Sequence, residues 1–299
     1  MYFLAAYRRG IFNRYRKGMP AIEMTLKDLN HGFNALMNYI KNGFQHKTLV
    51  VHPHYPSRGS TLYKAARSLN LNITNNITSN CVGAVFWEYL TFWEEYHALE
   101  KLPSSIEVVN LYSRDISKVF VDEAFHQVFG YSTIIDPKTY FGKIVQKSDV
   151  NAAHDGAILE GPIQDTKEGS IYQVLIDNSY GENLVLDIRV PVVGKTLDFV
   201  YLKYRDISER FKNTTVKTEK KPIREVLSDE EIDLLDQFAE TIELDFGEFD
   251  VLRDNDSKKI YVVDVNNTPQ GPPASTPKQD GKEAILTIAH QLESAYLSA

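Results

Sequence analysis

Apolar residues at Leu29, Phe33, Leu36, Met37 and Ile40 recur at helical spacing and stop at Gly43, which predicts a helix through LKDLNHGFNALMNYIKNGF. TLVVHP, starting at Thr48, is a short unbroken apolar run and predicts a buried strand. GSTLYKAARSLNL returns to helical spacing, and GAVFWEYLTFW is a further apolar segment. Strand alternating with helix predicts a small α/β lobe reaching about residue 110.

Beyond that point Asp115 or Ser117 can cap a helix whose apolar face holds Phe120, Ala124 and Val128, and Gly130 stops it. GKIVQKSD, AILEGPI, YQVLID and NLVLDIRVPVVGKTLDFVYLKYR predict strands, with NAAHDG a small-residue turn and VVGKTL a hairpin. KNTTVKTEKKPIR reads as a polar, basic loop. SDEEIDLLDQFAETI predicts a helix with a capping box at Ser228 and Glu231 and a core face of Ile232, Leu235, Phe238 and Ile242. FGEFDVLRDNDSKKIYVVDVN predicts two strands joined by a turn at DNDS, and GKEAILTIAHQLESAYLS a closing helix.

Bulk composition narrows the class. The 299 residues are 43% hydrophobic and 24% charged, an ordinary globular balance with room for two or three lobes. A net charge of -7 argues against a general nucleic-acid binder. The single cysteine, Cys81, excludes an internal disulfide framework and any all-cysteine metal site, and fits a reducing compartment. No apolar run approaches the roughly 18 residues of a membrane helix, and the apolar start of the chain is too short for a signal peptide, so a cytoplasmic protein is expected. The NIT triplets at Asn72 and Asn76 are then chance matches to a glycosylation acceptor. Arg8, Arg9, Arg14, Arg16 and Lys17 form a basic N-terminal segment, either a solvated face or an anion-attracting one.

The candidate chemistry gathers at the end of the second half. Asp264 and Asn266 lie two apart at the end of a strand and therefore share a face. If DNDS folds the strands back, Asp250 joins them, and two carboxylates with an amide oxygen suit Mg²⁺, which keeps few protein ligands. A strand end with turn chemistry is the alternative. Arg189 interrupts an apolar strand between Ile188 and Val190, where an unpaired charge is costly; it either serves function or pairs with Asp187 or Asp198. SRGS at a helix start is an anion cradle or an ordinary cap, and His52 and His54 lack nearby ligand partners in the sequence.

Several of these motifs resemble the ATP-grasp superfamily. FDVLRD…KKIYVVDVNNTP resembles the hairpin in which ATP-grasp enzymes hold their metal ions, an Asp followed by Glu-x-Asn and Pro. KIVQKSD resembles the strand whose lysine reaches the ATP phosphates. YQVLIDNSYGENLVLDIRVPVVG is similar to the hinge and following strand of the glutamate-adding ligases, and RDISK resembles the segment carrying the first lysine of the central lobe. The resemblance spans roughly residues 107 to 298. It implies an α/β chain with an N-terminal α/β lobe at 1–110 and two α+β subdomains, at 111–172 and 173–299, clasping ATP.

Carried over by position, the resemblance implies that Lys118 and Lys147 contact ATP, that Gln173, Val174 and Leu175 meet adenine, and that Asp177 meets the ribose. Asp250, Asp264 and Asn266 would hold Mg²⁺; Arg189 and Arg205, with Lys147, would neutralise the transferred phosphate. His154 and Asp155 would assist proton transfer or order the phosphate-covering loop. The implied reaction is ATP-dependent activation of a carboxylate as an acyl-phosphate, followed by capture with an amine. Substrates would be small-molecule, peptide or glycan-linked carboxylates and amines, with no nucleic acid, no membrane span, and a homodimer allowed. A phosphotransferase on the same scaffold and a non-catalytic nucleotide-binding protein are the alternatives. The chain departs from the family pattern at Asp264, where Glu is usual, in a phosphate loop with one glycine, and in an N-terminal lobe matched only as a generic α/β unit.

Overall fold

The computed structural model describes residues 33, 36–45, 47–79, 81–94, 96–150, 155–212 and 214–297. The basic N-terminal segment, the start of the first expected helix and Asn151 to His154 lie outside the described residues; 36–41 are helical. A first sheet contains β1 (Thr48–Pro53), β2 (Asn72–Thr74), β3 (Gly83–Trp87) and β4 (Val108–Val109), all parallel, in the order β2-β1-β3-β4. Its strands read as unbroken apolar runs because both faces are covered. Leu49, Val51 and Val85 pack under α1 (Thr61–Ser68) and α4 (Lys278–Tyr296), while Val50, Ala84 and Phe86 pack on Trp93, Leu99 and Leu102. The apolar segment GAVFWEYLTFW is strand only as far as Trp87.

The second sheet is antiparallel, β6-β5-β7, from β5 (Gly142–Ser148), β6 (Ala157–Gly161) and β7 (Ser170–Val174). The third and largest is also antiparallel. It contains β8 (Ser179–Tyr180), β9 (Leu184–Val193), β10 (Lys195–Thr196), β11 (Phe199–Asp206), β12 (Lys217–Pro222), β13 (Phe246–Arg253) and β14 (Ile260–Asn266). Its main order is β12-β11-β9-β13-β14, with β8 and β10 hydrogen-bonded to β9. Gly194, at φ +70°, makes the turn of the VVGKTL hairpin, a conformation that favours glycine.

The expected basic loop is in part a strand: residues 217–222 form β12, pairing antiparallel with β11 from Tyr204 to Phe199. An edge strand with solvent on one side needs no apolar alternation, and Thr218 alone of its first five residues is buried.

Two helices cover one face of the large sheet: α2 (Lys118–Phe129), capped by Ser117 and closed by Gly130, and α3 (Asp229–Thr241), which has the expected Ser228–Glu231 capping box. Phe125, Leu235 and Phe238 from these helices meet Ile188, Val190, Leu202, Phe249 and Val251 in the main core. Burying each such side chain contributes about 1.5–3 kcal/mol. The opposite face turns apolar at Val193, Tyr201 and Phe246, where it packs on α4 and the first sheet. Asn110 pins this junction. At φ +60° its side chain accepts from the Asp245 and Phe246 N–H groups (3.0 and 2.9 Å) and donates to the Phe246 carbonyl (2.7 Å). Asparagine tolerates this left-handed backbone better than most residues.

Candidate active site

A period-two alternation gives the large sheet a charged stripe. Ile188, Leu202, Phe249 and Val265 point into the main core, so their neighbours Asp187, Arg189, Lys203, Glu248, Asp250, Asp264 and Asn266 share the other face. Register then assembles them: Arg189 lies opposite Asp250, Asp250 opposite Asp264, Glu248 opposite Asn266, and Lys203 opposite Asp187. Arg189 grips Asp250 bidentately (2.9 and 3.1 Å), and its third nitrogen is 3.2 Å from Glu248. Lys203 Nζ is 3.5 Å from Asp250, and Arg205 pairs with Asp187 at 3.0 Å.

Burial disfavours the charge on every one of these groups, and neighbours decide the outcome. At Asp250 burial is more than offset by Arg189 and Lys203, which hold its carboxyl far below the usual range. Glu248, more deeply buried than Asp250 and with a looser arginine contact, is pushed up to about 7, by burial above all. Burial also raises Asp264 against the opposing pull of Lys118 and Lys147.

The second sheet faces this stripe and supplies the lysines. Lys147 on β5 donates to the Val263 carbonyl (3.3 Å) and is pulled down to about 8, by burial above all, against Asp264. Lys118, buried in the first turn of α2, donates to the Val150 carbonyl (2.7 Å). Asp149 accepts the Val119 N–H (3.0 Å), tying the end of β5 to the start of α2 and holding the two lysines in one region. Asp155 accepts the Ser148 N–H (3.1 Å), a loop-ordering bond; its neighbour His154 lies outside the described residues.

Between the sheets lies a cavity of about 160 Å³ lined by Lys118, Lys147, Gln173, Val174, Leu175, Arg205, Asp250 and Asp264, with Arg189 behind Asp250. Three expected residues do not line it, Arg189 being the first. The Asp177 carboxylate accepts the Ser179 N–H (3.0 Å) in a local turn and its own N–H donates to Asp254 (3.1 Å), so it braces the DNDS turn instead of facing the cavity. Asn266 sits one residue pair further along, against Glu248, with Oδ1 accepting from Thr268 N–H (3.0 Å). A larger, open cavity of about 540 Å³ lies beside α2 and β7, away from the charged stripe; its one buried carboxylate, Asp122, is spent on Ser132 and Thr133.

No protein-family model matches the sequence, and no curated protein matches it. Solved structures do. The ligase PsnB complexed with a minimal precursor is 13% identical, with a TM-score of 0.51 over 81% of this chain and 99% of that one. PsnB complexed with a phosphomimetic variant of the minimal precursor, Mg and ADP is 11% identical, with a TM-score of 0.53 over 84% and 98%. The ATP-grasp ligase associated with a RiPP in Chryseobacterium gregarium, complexed with ADP and a leader and core peptide, is 11% identical, with a TM-score of 0.51 over 85% and 98%. The chain has the ATP-grasp fold.

The oxygen donors on this fold bear on Mg²⁺. Among the described residues no three His, Cys, Asp or Glu side chains could enclose a metal ion by themselves. Asp264 Oδ1, however, is buried without a hydrogen-bond partner, whereas both oxygens of Asp250 are committed to Arg189. One open carboxylate oxygen, a second carboxylate in register and an amide along the same face suit Mg²⁺, which binds through one or two carboxylates plus substrate phosphates. The residues fit.

Sequence reasoning missed Lys203, Glu248, Arg210 and Phe211. Lys203 and Glu248 were visible as charges at alternate positions of FVYLKYR and FGEFD, the same signal that marked Arg189. Arg210, which donates to the Ile176 carbonyl (3.1 Å) and to Asn178 Oδ1 (2.7 Å), and Phe211 line the cavity from a turn with no such periodicity.

Proposed function

We propose that this chain is an ATP-dependent ligase that activates a carboxylate as an acyl-phosphate and joins it to an amine, with Mg²⁺ and ATP between the second and third sheets. The observation that carries the reading is the unpartnered Asp264 oxygen, with Lys118 and Lys147 near it, in a cavity that Arg205 also lines. Support comes from the fold, and from PsnB and the Chryseobacterium ligase, whose structures hold ADP, with Mg in the former.

In this reading the lobe at 1–110 precedes two subdomains, 111–172 and 173–299, that close on the nucleotide. Lys118 and Lys147 hold phosphate oxygens. The segment Gln173 to Leu175 meets adenine through groups other than the Val174 and Leu175 N–H, which already donate to Thr133 and Lys143. Asp264 would be the first ligand of Mg²⁺, Asp250 and Asn266 on the same face could complete its protein ligands, and the ion would supply charge neutralisation on the phosphates. The substrate carboxylate attacks the γ-phosphorus of ATP and ADP leaves; the amine then attacks the acyl carbon and phosphate leaves. No protein nucleophile is required. The chain's task is alignment, together with cations placed where negative charge develops; Arg205, which lines the cavity, suits that role because a guanidinium can bind two phosphate oxygens at once, whereas Arg189, expected to share it, has its nitrogens taken by Asp250 and Glu248 and holds Asp250 in place. A cavity of about 160 Å³ is smaller than the ~300 Å³ of ordinary ligand sites, so nucleotide entry requires the sheets to part.

Calorimetric titration with ADP and AMPPNP, in Mg²⁺ and in EDTA, tests the site. Wild type should bind in Mg²⁺, and Asp264→Asn should weaken that binding by about tenfold or more. Binding indifferent to both Mg²⁺ and Asp264 would remove the reading.

A further inference from the structure

One patch of the charged face holds three buried donors without an acceptor: Lys203 Nζ and Arg205 Nε on β11, and Thr218 Oγ1 on β12. Residues two apart on a strand share a face, and Thr218 is the register partner of Lys203, so the three side chains are neighbours. The residues are 2%, 8% and 2% exposed, too little for bulk water to serve as their acceptor. A buried donor left unsatisfied is costly, and three on one patch are satisfied together by a single anion.

The carboxylates nearby are already committed. Asp250, 3.5 Å from Lys203 Nζ, gives both oxygens to Arg189 (2.9 and 3.1 Å). Asp187, opposite Lys203 in register, accepts from Asn178 Nδ2 (3.0 Å) and pairs with Arg205 (3.0 Å). Glu248, the remaining carboxylate beside them, pairs with Arg189 (3.2 Å) and not with Lys203. Burial lowers Lys203, with Asp250 pulling the other way. Asp187, Arg205 and Asp250 line the cavity between the sheets, so the patch stands at its wall. Its other side is closed by the loop after Asn266: Ser275 Oγ donates to the Thr215 carbonyl (2.9 Å), and Thr276 Oγ1 is a further buried hydroxyl without a partner.

We infer that Lys203, Thr218 and the Nε–H of Arg205 form an oxyanion subsite that holds the carboxylate of the donor substrate at the wall of the nucleotide cavity. Calling it the donor's subsite rests on the ligase reading above; the excess of donors rests on the strands alone. A carboxylate fits better than an amide, because an amide brings N–H donors of its own to a patch that already has too many. Arg205 belongs both to the cavity and to the subsite, which sets the carboxylate beside the phosphorus it attacks. The γ-phosphate of ATP is the competing anion, and the two are separable by experiment.

Ligand-observed NMR on the full chain, with acetate as the probe and acetamide as its neutral match, tests the subsite with and without saturating Mg²⁺-AMPPNP. Acetate should bind about tenfold more tightly than acetamide, and Mg²⁺-AMPPNP should leave it bound. Lys203→Met should erase the preference, Lys203→Arg should restore most of it, and Thr218→Val should weaken acetate about threefold. Mg²⁺-AMPPNP affinity should stay within about threefold of wild type in all three variants, which also reports that each has folded. Acetate bound no better than acetamide, or a preference that survives Lys203→Met, overturns the inference. So does a Lys203→Met chain that keeps ADP and loses AMPPNP, since the subsite would then hold the γ-phosphate. Lys203-dependent acetate binding in a chain that does not bind Mg²⁺-AMPPNP would leave the subsite standing and remove only the ligase reading.

Discussion

The two faces of the large sheet are made by the same strands and differ in every energetic respect. One face is Ile188, Val190, Leu202, Phe249 and Val251 under two helices; the other is Asp187, Arg189, Lys203, Glu248, Asp250 and Asp264. The first gains free energy from burial. The second removes charges from water and recovers part of that cost by pairing, which seldom exceeds what apolar packing would give. A protein selected for stability alone would make both faces like the first. The charged face is therefore the one that carries the proposed site, and the two should respond oppositely to substitution.

The largest effect belongs to the apolar face. Phe249 is fully buried with its ring 5.1 Å from that of Phe238, so Phe249→Ala should cost about 3–5 kcal/mol in urea melts, with nucleotide affinity falling only as the folded fraction falls. Next comes Arg189→Met, which leaves Asp250 and Glu248 buried without their arginine. Denaturant titration should show a loss of about 3 kcal/mol at neutral pH, because breaking a buried pair is worse than never having it. An unchanged stability would mean that the stripe is better hydrated than its burial indicates.

Glu248 sharpens the contrast through pH. Its folded value, about 7, lies above the unfolded carboxylate value of about 4.3, so the native state binds the extra proton in that window. Unfolding stability from this group should be full below about pH 4, fall as pH rises toward 7 and level off above it, by up to about 3 kcal/mol. Asp250 acts in the opposite sense, losing its contribution only in strong acid. Stability measured against pH in Glu248→Gln should lack the decline between about pH 4 and 7; a decline that persists would belong to another group.

How much of this could be read from the chain depends on the range of the interaction. The hairpin and its facing residues were legible because alternation and a DNDS turn are local signals, and the observed register does set Asp250 against Asp264. The irregularity between Asp250 and Val251, which leaves Val263 without a register partner, had no such signal. Which carboxylate Arg189 meets depends on the pairing of β9 with β13; the sequence neighbours Asp187 and Asp198 were plausible and wrong, Asp187 being taken by Arg205. Asp177 precedes Asn and Ser, a composition that serves a turn as well as a ribose contact, and the turn is what forms. β12 was missed because a solvated edge needs no apolar pattern. His54 seemed isolated because Glu88, its partner, follows β3, thirty-four positions away, and reaches it only through the parallel pairing of β1 with β3.

Lys147 gives the smallest shift in stability, and it tests both faces at once. It is a half-buried lysine whose folded value, about 8, lies below the 10.5 of a free lysine. Below about pH 8 both states carry the charge, and the native state bears the cost of burying it; between about pH 8 and 10.5 the native state sheds its proton first, so stability should rise with pH there. Lys147→Met removes the buried charge and keeps the stem. Asp264 then loses one opposing cation, which returns part of the gain, so the net at pH 7 should be an increase of about 1 kcal/mol, with the rise above pH 8 abolished. Mg²⁺-AMPPNP affinity should fall by about tenfold in the same variant. A more stable protein that binds nucleotide less well is the outcome expected of a residue placed for its ligand. A variant that is less stable and binds nucleotide as wild type does would make Lys147 a structural partner of Asp264 and move the phosphate contact elsewhere.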